Sequence, residues 1–384
     1  MSACPLCGSN DTLPFITRNG VPVHQNLLMN DVAAARSATR GDLHLRSCPG
    51  CGFLWNAAFR ADLLSYGRDY ENTQTASPSF DSYVDHLVDS LVADGVTGRE
   101  VIEVGCGKGY FLERLCERGG NRGTGFDPSY VGPDETQGGR VRYVRSFYGG
   151  SRMTRTADVV VCRHVIEHVP DPVGFLAELR QALEASPHAT VYFETPDLLW
   201  ILEGTVIWDL FYEHCSYFTH GSLQNAFRRA RFKPIAVTGV FGGQYMWARA
   251  ELATEGEAMK PPHPTQAQLL GAYVLGEAQK LSFWRDTMTR LTRTGRLGVW
   301  GAGAKGVTFV NLLDASATQV DCLVDVNPLK DGRYAPGTGH PIVSPAKLRS
   351  RGVTDAILVN PNYLEETKRM VLTQGLSIPL HTAP

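Results

Sequence analysis

The chain has 384 residues, and its 37 Lys and Arg against 39 Asp and Glu residues leave a formal net charge of -2. This length predicts two or three domains, and the content of 43% hydrophobic and 20% charged residues is typical of globular proteins. The balanced charge excludes nucleic acid and anionic membranes as main partners. The N-terminus shows no signal-peptide pattern, and the longest apolar stretch, 198–211, is interrupted by charged residues and a glycine. We therefore expect a cytoplasmic protein without a membrane span.

Four of the nine cysteines form two Cys-x-x-Cys pairs near the N-terminus: Cys4 with Cys7, and Cys48 with Cys51. Each pair has the form C-P-x-C-G, in which one tight turn aims two sulfurs at the same ion. Four thiolates in a tetrahedron suit Zn²⁺, and the match between the two turns favours zinc over a redox dithiol. Residues 1–62 are therefore predicted to form a structural zinc lobe.

Residues 99–127 have the pattern of a β-turn-α-β unit. In chain order its parts are a strand at 101–104, a turn with Gly105, Gly107 and Gly109, a helix at 110–117, and a strand at 124–126. Asp127 comes directly after the second strand, 22 residues beyond the first glycine. A carboxylate at that place can accept hydrogen bonds from both hydroxyls of a ribose. The unit therefore predicts a nucleoside-binding site.

Two features of this turn indicate which nucleoside binds. The spacing is GxGxG rather than GxGxxG, and Glu103 at the strand tip disfavours a pyrophosphate. S-adenosylmethionine carries an ammonium and a sulfonium but no phosphate, and the pattern E-x-G-x-G-x-G followed by an acid closely resembles class I methyltransferases. The resemblance implies that Glu103 and the three glycines line the methionine end of this cofactor, and that Asp127 holds its ribose. The alternative is a glycine-rich turn without a ligand.

A second stretch supports the same cofactor. The buried strand pattern at 157–162 leads into Arg163-His164-Val-Ile-Glu-His168-Val-Pro-Asp. In methyltransferases that this chain resembles, an E-H-V/I-P-D loop lies beside the cofactor. The resemblance implies that His168 faces the sulfonium, and that Arg163 and His164 lie near the strand tip at the cofactor. The alternative is that both histidines are only polar packing groups.

An aromatic segment after residue 196 contains the candidate base. Glu213 and His214 are adjacent there, among tryptophan, phenylalanine and tyrosine residues. A histidine in an apolar pocket, with a pKa near neutrality, can remove a proton from the carbon next to a carbonyl. The alternative is a structural Glu-His pair on a buried loop.

The order of these motifs resembles one family over the whole chain. Two Cys-x-x-Cys turns, a class I methyltransferase core, an E-H-x-S-Y-F segment and a C-terminal G-A-G-A-K-G turn occur together in the S-adenosylmethionine-dependent C-methyltransferases of deoxysugar biosynthesis. The resemblance implies that His214 deprotonates the carbon next to the 4-keto group of a nucleotide-linked sugar, and that Glu213 assists it. By the same resemblance Tyr70 approaches the sugar. This chain has Phe211 and Tyr212 where the family has Tyr-His, so we assign Tyr212 and Tyr217 to substrate binding.

The C-terminal residues carry a second glycine turn, Gly301-x-Gly303-x-x-Gly306, after a predicted strand, with further strands at 320–324 and 356–359. We expect a smaller Rossmann-like unit in which Lys305, at the start of the following helix, binds a diphosphate of the substrate. Two alternatives are NAD binding, which would make the protein an oxidoreductase, and a domain used only for packing.

The sequence thus predicts an α/β protein with a class I (Rossmann-like) methyltransferase core. Its expected parts are the zinc lobe at 1–62, the methyltransferase domain at 63–255, a linker and helix at 256–294, and the Rossmann-like domain at 295–384. The expected activity is C-methylation of a nucleotide-linked deoxysugar, a small-molecule substrate. The alternatives are O-methylation of a related sugar, with His214 activating a hydroxyl, and an NAD-linked reaction.

Overall fold

The structure is a computed structural model that describes residues 3–65, 70–148 and 156–382. Its strands are β1 Leu13–Pro22, β2 Arg40–Ser47, β3 Leu54–Asn56, β4 Glu100–Val104, β5 Arg122–Phe126, β6 Glu135–Thr136, β7 Val141–Val144, β8 Val159–Arg163, β9 Thr190–Pro196, β10 Ser216–Tyr217, β11 Phe232–Val240, β12 Tyr245–Leu252, β13 Arg296–Trp300, β14 Val320–Val324, β15 Ile342–Val343, β16 Val353–Leu358 and β17 Leu380–Thr382. Its α-helices are α1 Val32–Arg36, α2 Pro78–Ala93, α3 Tyr110–Gly119, α4 Pro172–Ala182, α5 Leu198–Glu203, α6 His220–Arg229, α7 Gln266–Thr292, α8 Ala304–Leu313, α9 Leu348–Arg351 and α10 Leu364–Thr373. No helix among these residues is both long and apolar enough to cross a membrane.

The middle of the chain forms an eight-stranded sheet with the order β11-β12-β9-β8-β4-β5-β7-β6. Strands β4, β5, β8 and β9 are parallel, so their carboxyl ends meet at one edge. From β4 the chain goes to β5 on one side and later returns to β8 on the other. Such a switch point opens a crevice at the carboxyl ends of the strands, where α/β proteins bind ligands. The predicted β-turn-α-β unit is confirmed, since β4, α3 and β5 lie where the sequence pattern places them.

The N-terminal residues form a four-stranded antiparallel sheet with the order β1-β2-β3-β10. Its last strand comes from the middle of the chain: Ser216 pairs with Trp55 and Tyr217 with Leu54. This strand begins two residues after the Glu-His pair, so the N-terminal sheet holds the segment that carries His214. The apolar residues Phe53 and Trp55 pack in the same core as β4 and β9.

The C-terminal residues form a five-stranded parallel sheet with the order β15-β14-β13-β16-β17. The turn between β13 and α8 needs its glycines, because a Cβ on Gly306 would lie 1.7 Å from the carbonyl oxygen of Gly301. The long helix α7 packs Trp284 and Met288 into a core that it shares with this sheet. The first residue of α7 contacts the N-terminal lobe, since Gln266 Nε2 donates a 2.7 Å hydrogen bond to the carbonyl of Gly52 beside the second cysteine turn.

Candidate active site

The first glycine turn lies at the carboxyl end of β4 and begins α3. Gly105, Gly107 and Gly109 have φ values of +73°, +53° and +84°, which favour glycine over residues with a side chain. An added Cβ would strike Val165 at Gly105 and Tyr143 at Gly109, whereas nothing lies within 4 Å at Gly107. The turn is therefore packed on two sides and open at its centre, where a ligand can approach the backbone.

Asp127, at the end of β5, faces this turn. Its Oδ2 accepts a 2.9 Å hydrogen bond from the Gly107 amide, and its Oδ1 accepts bonds from the Ser129 amide and hydroxyl at 2.7 and 2.6 Å. Oδ2, which accepts one of these bonds, can accept a further bond. The side chain thus braces the glycine turn and stays available to a ribose.

Glu103 lies under the same turn. It is 2% exposed, and its Oε2 has no hydrogen-bond partner in the described part of the chain. Burial raises the pKa of this carboxyl to about 8. A buried oxygen without a partner is costly, and a cationic ligand at the open centre of the turn would compensate for it. The charges of S-adenosylmethionine fit this requirement.

Arg163 and His164, at the end of β8, are held by carboxylates. Arg163 Nε donates a 2.6 Å hydrogen bond to Glu194, and its guanidinium lies 4.5 Å from the centre of the Phe111 ring. His164 has Glu194 3.2 Å from Nε2 and Glu167 3.3 Å from Nδ1. Burial alone would lower the pKa of His164, but the two carboxylates outweigh it and raise that pKa to about 9. Of these two predicted cofactor residues, His164 lines the cleft described below and Arg163 lies behind it.

His168 and His214 face each other, with ring centres 4.9 Å apart. The Nδ1 of His168 lies 2.9 Å from the carbonyl oxygen of Glu213, which makes that nitrogen the protonated one. His214 also packs against the Phe211 ring at 4.1 Å. Burial lowers the pKa of both histidines, and for His214 the lowering is large. His214 is therefore neutral at neutral pH, as a general base must be.

Glu213 contacts different residues from its neighbour His214. Its Oε2 accepts a 2.8 Å hydrogen bond from the amide of Gln25 in the N-terminal lobe. Burial raises the pKa of Glu213 to about 7, and this hydrogen bond and one from the Tyr70 side chain oppose the rise. The structure thus brings the predicted residues Tyr70 and Glu213 together, and the Glu213 backbone rather than its carboxylate meets His168.

Two predicted substrate residues lie outside the cleft. The Tyr212 hydroxyl bonds to the backbone of Arg60 at 2.9 Å, and its ring packs on Gly41 and Phe59 in the N-terminal lobe. The Tyr217 hydroxyl bonds to the backbone of Phe211 at 3.1 Å. Neither side chain lines the cleft, where Phe211 stands instead. Both side chains support the 209–214 segment, and their assignment to substrate binding stays a prediction.

One cleft joins the methyltransferase core to the C-terminal sheet. Its cavity volume is about 250 Å³, close to the lower end of small-molecule sites. Tyr70, His168, Glu213 and His214 line one side. The turn at 301–306 lines the other side. An acceptor in the cleft would therefore touch both the histidines and the second glycine turn.

Lys305 lies in the first turn of α8, at the C-terminal side of the cleft. Its Nζ pairs with the Asp209 carboxylate and lies 5.2 Å from the centre of the Trp200 ring. Burial lowers the pKa of Lys305, and Asp209 opposes that effect. The helix has no side-chain cap at its N-terminus, so its first amides are available to an anion.

The acid that follows β14 closes the second glycine turn. Asp325 accepts a 3.0 Å hydrogen bond from the Ala302 amide, and Lys330 Nζ donates to the Ala302 carbonyl at 3.1 Å. Lys330 is 4% exposed and also lines the cleft. The sequence did not single out this lysine, because no local pattern distinguishes it from a surface lysine.

Sequence reasoning also missed the two carboxylates that hold His164. Glu167 was visible as the residue before His168, and Glu194 as an acid near the end of an apolar strand. Both are essentially buried, at 1% and 0% exposure. The available signal was Glu194, an acid in a strand that has no other charged residue, since a buried acid needs a partner.

The four N-terminal cysteines form one cluster. The Sγ atoms of Cys4 and Cys51 are 3.6 Å apart, those of Cys7 and Cys48 are 3.5 Å apart, and all four lie within 4.8 Å of one another. These distances exceed a disulfide bond, and the cysteines are free. Four sulfurs at about 2.3 Å from one ion would have this spacing. The arrangement therefore fits a tetrahedral metal ion.

Comparison with known proteins agrees with this geometry. Residues 79–237 match the family model of a methyltransferase domain, and residues 281–372 match that of a C-methyltransferase C-terminal domain. The chain is 26% identical to the C-methyltransferase NovU of Streptomyces niveus, over 94% of this chain and 90% of NovU.

Two further similar proteins match a smaller part of this chain. The ubiquinone biosynthesis O-methyltransferase of Vibrio campbellii is 32% identical over 27% of this chain, which spans 46% of that protein. The chain thus matches about half the length of such relatives. The crystal structure of 1,6-didemethyltoxoflavin-N1-methyltransferase from Burkholderia thailandensis, with S-adenosylhomocysteine, has 20% identity and a TM-score of 0.34 over 47% of this chain and 80% of that chain.

The first glycine turn lies at the switch point of a mixed α/β sheet, and residues 79–237 match a methyltransferase domain. These two features define a class I S-adenosylmethionine-dependent methyltransferase. The relative that extends over nearly the whole chain and the matched C-terminal domain are both those of C-methyltransferases. The chain is therefore an S-adenosylmethionine-dependent methyltransferase that is similar to a C-methyltransferase over nearly its whole length. The C-terminal glycine turn is thus part of a methyltransferase, which disfavours the NAD-linked alternative.

Replacing Asp127 with alanine is expected to weaken S-adenosylmethionine binding by about 1.5–3 kcal/mol, the scale of a hydrogen bond to a charged group. Calorimetric titration of the cofactor measures the change. Because Asp127 also braces Gly107, the thermal midpoint of the variant is measured in parallel, and Ser129→Ala serves as a control that removes only a neighbouring donor. Unchanged cofactor affinity in Asp127→Ala would contradict the ribose assignment.

Proposed function

We propose that this enzyme methylates the carbon next to a ketone in a nucleotide-linked deoxysugar, with His214 as the base. The observation that carries the proposal is a neutral, half-buried imidazole in the cleft between the cofactor edge of the sheet and the second glycine turn. In this proposal each of the three parts of the chain has its own role. The N-terminal lobe holds the segment with the base, the core binds the methyl donor, and the C-terminal unit binds the nucleotide part of the acceptor.

A neutral histidine is the group that this reaction needs. The hydrogen next to a ketone is too weakly acidic to leave unaided at neutral pH, so the enzyme must supply a base and stabilise the resulting enolate. His214 takes the proton while the electron pair of the broken C–H bond remains on the substrate. S-adenosylmethionine supplies the electrophilic methyl group that this carbon accepts. His168 is the rival base, since it lines the same cleft 4.9 Å from His214.

Tyr70 and Glu213 are proposed to orient the acceptor beside His214. Tyr70 is 9% exposed and lines the cleft, and its side chain bonds to the Glu213 carboxyl. That carboxyl is also anchored on the Gln25 amide, so the pair connects the acceptor site to the N-terminal lobe. Glu213 therefore assists His214 through position rather than through contact with its ring.

The first turn of α8 is proposed to bind the diphosphate of the nucleotide. Gly303, Ala304 and Lys305 line the cleft at an uncapped helix N-terminus, where backbone amides and the helix dipole favour an anion. Two lysines of the cleft lining, the half-buried Lys305 and the buried Lys330, add positive charge there. We choose a nucleotide-linked acceptor because the uncapped start of α8 and His214 line the same cleft.

We also propose that the four N-terminal cysteines hold one structural zinc ion. Cys4, Cys48 and Cys51 are buried, and the four sulfurs complete the coordination without leaving an open position. The chemistry of such a site is structural, because a closed site cannot bind substrate. Zinc would close the loop between the two cysteine turns, which contains β1, α1 and β2.

Hydrogen exchange at the acceptor carbon tests the proposed reaction. With the inert product S-adenosylhomocysteine bound, the wild-type enzyme is expected to exchange the α-hydrogen of a 4-keto nucleotide-sugar with deuterated water. Mass spectrometry of the recovered sugar measures this exchange. His214→Ala should abolish it, while exchange retained in that variant would identify His168 or another residue as the base.

O-methylation is the second candidate, because the O-methyltransferase of Vibrio campbellii shares part of the core with this chain. In that case His214 would activate a hydroxyl and not a C–H bond. The position of the new methyl group, determined by NMR on the product, separates the two reactions directly. A methyl group on oxygen would overturn the proposed C-methylation.

A further inference from the structure

Three side chains on the cleft wall place their ligand atoms close together. One carboxylate oxygen of Glu167 and one ring nitrogen each of His168 and His214 lie within 4.8 Å of one another. All three residues line the cleft beside the proposed acceptor site. This cluster is separate from the four cysteines and comes from two loops, one after β8 and one before β10.

The groups behind the cluster hold two of these side chains in place. His168 directs its Nδ1–H to the Glu213 carbonyl at 2.9 Å, which leaves the lone pair on Nε2. Glu167 accepts a 3.0 Å hydrogen bond from the Thr195 hydroxyl at Oε2, and its Oε1 lies 3.3 Å from His164 Nδ1. Metal-binding histidines commonly donate their second N–H to a carbonyl, and metal-binding carboxylates are commonly hydrogen-bonded in turn. The cluster has both of these features.

His214 completes the set. Its ring packs on Phe211 at 4.1 Å and on His168 at 4.9 Å, and no hydrogen bond to its ring nitrogens is formed within the described residues. The set then contains two imidazoles and one carboxylate, which suit divalent transition metals. The remaining coordination positions of such an ion would face the cleft.

We propose that Glu167, His168 and His214 bind one divalent transition-metal ion in the cleft, in addition to the ion held by the four cysteines. The imidazole set selects zinc, cobalt or nickel over magnesium and calcium, which prefer oxygen ligands. Binding uses a lone pair of His214. The consequence for catalysis rests on the proposed function: a metal-bound His214 cannot accept the proton, so the ion inhibits methyl transfer and a chelator restores it.

Cobalt titration of the full-length, zinc-loaded protein tests the site. We expect one equivalent of Co²⁺ to bind with the weak visible absorption of nitrogen and oxygen ligands, without thiolate charge-transfer bands and without release of zinc. Glu167→Gln should weaken this binding by at least about tenfold, the lower end of the effects seen when metal-site residues are replaced. Glutamine keeps the size and the Thr195 contact of the side chain. His168→Gln provides a second variant should Glu167→Gln fold poorly.

His188→Ala is the matched control, because His188 is an exposed histidine outside the cleft. Its cobalt affinity should equal that of the wild type. Failure of the zinc-loaded wild type to bind Co²⁺, or wild-type cobalt affinity in both Glu167→Gln and His168→Gln, would overturn the metal site. Binding without inhibition would leave the site in place and contradict His214 as the base, so the two proposals fail in different ways.

Discussion

Replacing His214 with alanine is expected to lower turnover by a factor of about 100–10,000, the usual contribution of a general base. The loss follows because the imidazole is neutral, faces the cleft and lies beside the proposed acceptor site. Cofactor affinity should stay nearly unchanged, since the proposed donor site is the glycine turn with Asp127. Steady-state kinetics and cofactor titration, made on the same preparation, measure both quantities.

His168→Gln is the informative comparison for this variant. If His168 only orients its neighbours, its replacement should lower turnover much less than His214→Ala and should leave deuterium exchange detectable. A larger loss in His168→Gln than in His214→Ala would reverse the two roles. His188→Ala, at an exposed position, controls for the general effect of removing a histidine and should have wild-type kinetics.

Loss of the zinc ion is expected to have the largest effect on stability. Cys51→Ser removes one of four ligands, and the binding free energy of structural zinc sites is on the order of 10 kcal/mol. Metal analysis should show about one zinc per chain in the freshly purified wild type and much less in the variant, with a lower thermal midpoint. Cys322→Ser, at a buried cysteine outside the cluster, is the control and should retain its zinc.

The effect of zinc loss on activity should be indirect. The N-terminal lobe supplies the strand partner of β10 and the amide that holds Glu213. A disordered lobe would therefore misplace the segment with His214 while leaving the cofactor turn intact. Cofactor affinity retained at reduced turnover is the expected result. A zinc-free variant of wild-type stability and activity would contradict a structural role.

The local units of this protein were predictable from the sequence. The β4-turn-α3-β5 unit depends on contacts within about 30 residues, and the turn at 105–109 requires glycines at positive φ. Each Cys-x-x-Cys turn is likewise a local feature, so the sulfur cluster followed from two matching turns. Hydrophobic periodicity also indicated α7 and three of the five strands of the C-terminal sheet, β13, β14 and β16, because buried faces repeat at fixed spacing.

The roles within the 211–217 segment could not be derived in this way. Neighbouring side chains point in different directions there, so Phe211 and His214 enter the cleft whereas Tyr212 packs into the N-terminal lobe. The contact that places Glu213 joins residues 188 positions apart. Such a contact depends on how the lobe folds back on the core, and no local pattern encodes it.

The sequence by itself determined the first glycine turn and the four-cysteine cluster, since each depends on residue types at short, regular spacing. Only the tertiary structure decided what surrounds them. It placed Glu167, His168 and His214 together, buried Glu194 between Arg163 and His164, and set the second glycine turn across the cleft from the histidines. These arrangements arise where separate sheets pack against one another, and packing between distant segments depends on the shape of the whole core and not on local preference.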